Sequence, residues 1–333
     1  MSDIATNINL KSFVLLMYDV IIIGSGCSGY AAAMYSGRLS LKTLLIGYED
    51  GGTITLTNVV ENYPGFKKLT GLKLAGKIKE HALEYKKFVE FKQANVTGIK
   101  KHGSCFTVTA EKKNYTAKTI ILATGARHKE LNIPGEMGFK NQGVHSCALC
   151  DGVFYKNKIV AVVGGSDSAA KEAMLLTQWA KKVYIIYRGD QIHPEPINMD
   201  RIKGLIKKNK IEIINNTNLK AIKGNKFVTR VILDKPYKNS KEFNLDAVFI
   251  EIGAVPQSDL AKKLGVKLNE KYEIIINRES KTNIPGFFAA GDVVDTKFKQ
   301  AITGVAEAVS AAYSAYQHIG SNKFFACNDE ENN

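Results

Sequence analysis

YDVIIIGSGCSGYAAAMYSGRL (residues 18–39) and KIVAVVGGSDSAAKEAMLLTQW (residues 158–179) repeat one pattern about 140 positions apart. Each opens on a run of β-branched residues, passes through glycines and continues as a small-residue helix. In the first, Gly24, Gly26 and Gly29 make the turn and an apolar strand at residues 43–46 follows. In the second, Gly164 and Gly165 lead into Ser166, Asp167 and Ser168, and a strand at residues 183–187 follows. One such turn is weak evidence, because strand-to-helix turns without a ligand also use glycine. Two in one chain give every glycine a physical role, whether in a tight turn, in close approach to a pyrophosphate, or in contact of helix on strand.

The punctuation around these units sets the domain plan. Residues 119–124 read as an apolar strand ending in ATGA (123–126), and residues 247–253 as another running into EIGAVP. FFAAGDVVD (287–295) adds a last strand and a Gly-Asp turn, ahead of a helix expected over about residues 300–319. The expected fold class is α/β, with two Rossmann-like, three-layer ββα nucleotide-binding domains, the second inserted in the first. Residues 1–126 with 253–333 form one and residues 127–252 the other. Residues 1–16 are expected to be a flexible extension or an over-long start ahead of Met17, and the polar, acidic residues 328–333 a frayed end.

Composition narrows the class further. A chain of 333 residues suits two domains. Hydrophobic residues at 45%, charged residues at 23%, 7 Pro and one Trp are ordinary globular values and argue against disorder or repeats. Lys+Arg exceeds Asp+Glu by 46 to 32, a net charge of +14, yet only six of the 46 are Arg. The lysines are scattered rather than clustered with aromatics, so a solvated basic surface is expected and no nucleic-acid partner. Asp19 and the glycines after it cut the apolar stretch at residues 13–34 well short of a membrane span, and no small-residue cleavage site follows Lys11. A cytoplasmic protein without membrane contact is expected.

Between the two units lies HSCALCDG (residues 145–152), which spaces Cys147 and Cys150 as CxxC with Asp151 beside them. A structural zinc site needs a second pair of ligands. Cys27, Cys105 and Cys327 stand alone in the sequence, so no metal site is expected. A redox dithiol needs only the one pair, and beside two dinucleotide units that is the stronger reading.

Taken in order, GSGCSG, VENYPG (residues 60–65), ATGA, CALCDG, the second βαβ unit, AAGDVVD and KQAITGVAEA (residues 299–308) make the chain resemble the low-molecular-weight thioredoxin reductases from Tyr18 to about Gly320. The resemblance implies a homodimeric FAD enzyme that passes reducing equivalents from NADPH or NADH through the flavin and the cysteine pair to thioredoxin or a glutaredoxin-like redoxin. By position, Gly24, Gly26 and Gly29 would receive the FAD pyrophosphate at a helix N-terminus. Gly51, Gly52, Thr53 and Asn62 would line the flavin side, with Thr124 and Gly125 at the ATGA exit. Gly291 and Asp292 match the turn that bonds the ribityl chain, and Gln300 and Ala301 stand beside the isoalloxazine. Thr53 departs from the family's usual Gln and Lys299 from its usual Arg.

Within the pair, the family pattern turns Cys150 toward the flavin, gives Cys147 the attack on the partner's disulfide, and makes Asp151 the proton donor or acceptor, although an Asp after CxxC also suits a helix start. Cys27 replaces a common Pro and reads as a packing residue, and His145, two before Cys147, could tune the pair but reads better as a loop histidine without function. The resemblance also implies that the inserted domain rotates between half-reactions, on hinges near residues 126–130 and Gly253.

The second nucleotide site is irregular. Gly164, Gly165, Ser166, Asp167 and Ser168 are its turn residues, with Ser166 where the second glycine of GxGxxA belongs. The family's HRRDxFR cluster for the 2′-phosphate appears as YRGDQIH (residues 187–193), leaving Arg188 alone unless Lys181 or Lys182 reaches in. Weak discrimination between NADPH and NADH follows. Two other readings stay open: a dithiol flavoenzyme fed by ferredoxin or another donor, or acting as an oxidase, and a flavin-bound redox sensor without turnover.

Overall fold

A computed structural model describes residues 17–322 together with Phe325 and Cys327. The extension at residues 1–16 and the end at residues 328–333 lie outside the described residues. The chain separates into two compact units, Met1–Arg127 with Pro256–Asn333, and His128–Val255.

The first unit is organised by β1 (Tyr18–Ile23), whose apolar run is buried on both faces. Val20 and Ile22 pack on one side of the sheet, and Ile21 and Ile23 on the other. A strand so enclosed belongs at the centre of a parallel sheet. It pairs in parallel with β2 (Thr43–Gly47) and β6 (Lys113–Leu122). With β3 (Val89–Gln93), β4 (Val96–His102) and β5 (Cys105–Ala110) the order is β3-β2-β1-β6-β5-β4, and β17 (Phe287–Ala289) runs parallel to β6. Helices α1 (Cys27–Arg38), α2 (Gly71–Leu83) and α7 (Ala301–Ser321) cover one face. Against the other face pack Val266, Ile274 and the short α6 (Asp259–Lys263). Each fully buried Ile or Leu here contributes about 1.5–3 kcal/mol. β6 starts earlier than its apolar stretch suggested, because its polar first half pairs with β5 in a hairpin.

The second unit repeats the plan. β8 (Val144–His145), β9 (Ile159–Val163), β10 (Lys182–Ile186), β11 (Ile211–Ile214) and β15 (Ala247–Ile250) form a parallel sheet in the order β11-β10-β9-β15-β8. The one-turn helix α3 (Ala148–Asp151), α4 (Asp167–Leu176) and α5 (Pro196–Lys207) contribute to the core on one face. The antiparallel β12 (Leu219–Gly224), β13 (Val228–Tyr237) and β14 (Ser240–Asn244) make the third layer. The chain crosses twice, on β7 (Ala126–His128) and β16 (Ala254–Pro256), which form a two-stranded sheet with each other. Among the described residues no helix is long and apolar enough to cross a membrane.

One expectation is corrected. Cys105 and Cys327, separate in the sequence, are joined in a disulfide with Cα atoms 5.1 Å apart. β5 buries Cys105 almost completely, and Cys327 is bonded to it there. Only Cys27 remains a free thiol, and it is buried. Thiol titration of the isolated, oxidised and denatured chain should therefore count one thiol among the five cysteines. A count of three would mean that one of the two disulfides does not form.

Candidate functional site

In the first unit the glycine turn is enforced by close packing. A Cβ on Gly24, where φ is +115°, would stand 2.1 Å from the Ala123 carbonyl oxygen, and one on Gly29 would stand 1.7 Å from the Gly24 oxygen. Only glycine lets α1 start this close to β1 and β6. Gly26 differs, because its nearest neighbour would be Gly52 Cα at 3.8 Å. The fold does not need a glycine there. A glycine that the packing does not demand, at the start of α1, is what the close approach of a pyrophosphate would explain.

The other first-unit residues gather around this turn. Gly51 donates its N–H to the Ser25 oxygen at 2.9 Å, and a Cβ on Gly52 would touch Gly26. Gly52 in turn caps the 3₁₀ turn that begins at Thr53. Asn62 donates to Gln300 Oε1 at 2.9 Å across 238 positions, and Gln300 caps α7 ahead of Ala301. Thr124 and Gly125 are stitched to Gln257 by three hydrogen bonds. The Glu307 carboxylate, which no sequence motif announced, accepts from the Gly291 N–H at 2.9 Å and from the Thr296 hydroxyl, fixing the Gly-Asp turn. Asp292 is solvent-exposed yet crowded by protein, which raises its carboxyl above the usual range against the pull of Lys299. Burial pushes the Cys27 thiol up to about 11, which suits a packing residue.

The second turn is tighter and differently furnished. A Cβ on Gly164 would stand 2.1 Å from the Glu251 oxygen, and one on Gly165 would meet the Tyr187 ring at 2.5 Å. Ser166 precedes α4 without capping it through its side chain. Asp167, expected at the cofactor, is committed to the protein. Its carboxylate accepts from Glu195 N at 2.9 Å, from Asn198 at 2.7 Å and from Lys171 at 2.7 Å, clamping α4 to the start of α5. Ser168 and Arg188 are exposed. Lys182 does not supplement Arg188: it opens β10, bonded to Asn209 and 3.4 Å from Glu212, while Arg188 follows the strand's far end. Lys181 donates its backbone N–H to Lys158 O at that same distant end.

Cys147 and Cys150 are disulfide-bonded with Cα atoms 5.4 Å apart. Cys147 caps α3, its sulfur accepting from Cys150 N at 3.1 Å. Cys147 is 6% exposed, whereas Cys150 lies in the open. His145 is not in the loop the sequence suggested. It lies on β8, is 8% exposed, and places Nδ1 3.0 Å from Asp151 Oδ2. Just after the pair, Val153 and Phe154 are 52% and 75% exposed, an apolar patch with no periodicity to announce it.

Two buried carboxylates stand behind this turn. Glu172 accepts from the Ala148 N–H, and burial pushes its carboxyl up to about 7 against that bond. Glu251, at the end of β15, is pushed up to about 8, first by burial and then by the charge of Glu172. Their unfolded values lie near 4.5, so the folded state holds more protons between pH 4.5 and 8, and stability falls as pH rises through that window. Burial holds His128 and His145 below 6.5, and they act with the opposite sign only below about that pH. Glu251→Gln should therefore raise stability at pH 8 by about 1–3 kcal/mol and flatten its slope from pH 6.5 upward, as read by denaturant unfolding. An unchanged slope would contradict the assignment.

The pyridine nucleotide-disulphide oxidoreductase family model matches residues 18–308. The thioredoxin reductase of Buchnera aphidicola from Schizaphis graminum is 38% identical over 312 residues, 91% of this chain and 97% of that protein. The thioredoxin reductase structures of Lactococcus lactis (37% identity, TM-score 0.86) and T. acidophilum (32%, 0.84) are each matched over 92% of this chain and all of theirs. A ferredoxin-flavin thioredoxin reductase from Clostridium acetobutylicum is 31% identical over 92% of this chain and 99% of its own, with a TM-score of 0.50. With the two Rossmann-like units and the bonded CxxC pair, these likenesses identify the chain as a member of the pyridine nucleotide-disulphide oxidoreductase family and, within it, of the thioredoxin reductases.

Proposed function

We propose that Cys147 and Cys150 are the exchanging dithiol, that Asp151 carries its protons, and that FAD is held on the Gly24–Gly26–Gly29 turn. The observation that carries this is the CxxC disulfide at the start of a helical turn, with a carboxylate next to it. The residues present fit FAD: at Gly26 a glycine the packing does not demand, where a pyrophosphate would approach the helix start, and an Asp292 carboxyl open to solvent for a polyol chain. When bound, FAD supplies the two-electron link between a hydride donor and a disulfide. The Asn62–Gln300 bond and Glu307 keep the residues around it in place.

Exchange with thioredoxin then balances within the dithiol. The Cys147 thiolate attacks one sulfur of the partner disulfide, a mixed disulfide forms, and the electron pair of the broken bond leaves as a thiolate that takes a proton. Cys150 attacks Cys147, restores the enzyme disulfide and releases the second thiolate, which is protonated in turn. The exposed Val153 and Phe154 offer the partner an apolar contact beside the sulfurs. Because Cys147 is 6% exposed, a protein disulfide reaches it only after a rearrangement, and we assign that to rotation of the inserted domain at β7 and β16. Cys147→Ser and Cys150→Ser should each retain extractable FAD and reduce thioredoxin only at trace rates. A disulfide locking the two domains should also stop turnover. FMN in the extract, turnover in either variant, or full activity in a verified lock would each defeat its part of this reading.

For the reductant, the same geometry supports a nucleotide site without a full 2′-phosphate cluster. Within YRGDQIH, Arg188 is the one permanent cation after the end of β10, Gly189 and His193 replace two others, and Ser166 crowds the turn. A charge-assisted contact is worth roughly 1.5–3 kcal/mol, so two missing contacts remove a few powers of ten in preference. The kcat/KM ratio of NADPH over NADH should fall below about 10³, and a larger ratio overturns the reading. The ferredoxin-linked alternative gains from the Clostridium likeness and from the Tyr187 ring over Gly165. It takes precedence if neither nucleotide bleaches the flavin anaerobically while reduced ferredoxin does.

A further inference from the structure

Sequence leaves a tuning role for His145 only as the weaker reading, and the fold gives it a definite setting. β8 pairs with β15 in a register that puts His145 opposite Phe249. The imidazole stacks on the Phe249 ring at 5.3 Å and 29° and meets Tyr155 edge-on at 5.4 Å. Tyr155 stands T-shaped on Phe249 at 5.9 Å, closing an aromatic triangle. Both ring nitrogens have oxygen neighbours: Nε2 is 2.7 Å from the Tyr155 hydroxyl, and Nδ1 is 3.0 Å from Asp151 Oδ2.

Chemistry fixes the direction of this array. Tyr155 keeps its proton, because burial and the charges of Asp151 and Asp246 push it up to about 12. It therefore donates to Nε2, and a neutral imidazole must carry its proton on Nδ1, the nitrogen 3.0 Å from the carboxylate but not aligned on it. Burial favours that neutral form, with Asp151 opposing. The titratable groups facing the imidazole are Asp151 from α3 and Tyr155 from the turn after it. Glu172 contacts α3 at the separate Ala148 amide.

We propose that His145 is the positioning residue for Asp151, its Nδ1–H closing onto the carboxylate oxygen 3.0 Å away and holding it beside the cysteine pair. This rests on Asp151 as the proton group of the dithiol. In each exchange Asp151 accepts one proton from a thiol and delivers it to the leaving thiolate. His145 neither gains nor loses one, so the array balances without a further co-reactant.

The test uses the FAD-loaded full chain and the pH profile of thioredoxin reduction. Without the imidazole the carboxylate loses its nearest donor, so His145→Ala should move the acid limb of the activity profile up by about 0.5–1 pH unit and lower kcat roughly tenfold. His145→Asn puts an amide donor near the Nδ1 position and should restore the limb. Equal losses in both variants with an unmoved limb would mean a packing role only and overturn the proposal, as would wild-type profiles in both. Asp151→Asn separates the two claims. A wild-type profile in that variant removes the underlying reading of Asp151, whereas an impaired Asp151→Asn beside an unaffected His145→Ala removes only the role of His145. Should the variants fail to fold, ¹⁵N-histidine spectra of the unaltered holoenzyme decide. A neutral Nδ1–H ring at pH 7 supports the proposal, and an imidazolium or an Nε2–H ring overturns it.

Discussion

The structure depends on a steric exclusion: at Gly24, Gly29 and Gly164 there is no room for a β-carbon. The carbonyl oxygens of Ala123, Gly24 and Glu251 occupy those positions at 1.7–2.1 Å. This brings each helix down onto its parent strand and lets neighbouring strands end on the same edge. In the first unit that edge collects Gly24, Thr124 and Gly291, contributed by β1, β6 and the turn after β17. In the second it brings Gly164 against the end of β15. Without these contacts the strand ends separate and the residues around them lose their common frame.

The two units share this constraint but differ in what they leave open. At Gly26 the first turn carries a glycine that no clash demands, and the polar groups around it either have protein partners or, like Asp292, face solvent. The second turn places the Tyr187 ring on Gly165, a side chain at Ser166, and the protonatable Glu251 at its rim. A carboxyl pushed up to about 8 is mostly neutral at pH 7, so it does not repel a phosphate as a full charge would. The weak 2′-phosphate preference proposed for this site would therefore come from missing cations more than from added anions.

What the sequence made legible was local. Glycine turns, an apolar strand buried on both faces and a CxxC pair each lie within a few consecutive residues, so their physics is complete in the string. Pairings that depend on register were hidden. His145 meets Phe249 only because β8 lies beside β15, and Asn62 meets Gln300 only across the assembled sheet. Asp167 looked like a cofactor residue from its place in the turn, yet its oxygens go to Glu195, Asn198 and Lys171, a choice set by where α5 begins. Cys105 and Cys327 looked unpaired because 222 positions separate them.

The cysteine turn shows why its partners must be buried. A four-residue helix has too few hydrogen bonds to hold itself, and α3 is held from both sides instead. The Cys147 sulfur takes the Cys150 amide and Glu172 takes the Ala148 amide, while Trp179 lies so close to Gly152 that a Cβ there would stand 2.8 Å from its ring. Disulfide exchange changes the charge on these sulfurs repeatedly. These bonds let that charge move without the backbone moving with it. Asp151, its side chain 30% exposed, has the buried imidazole of His145 3.0 Å away as a side-chain neighbour.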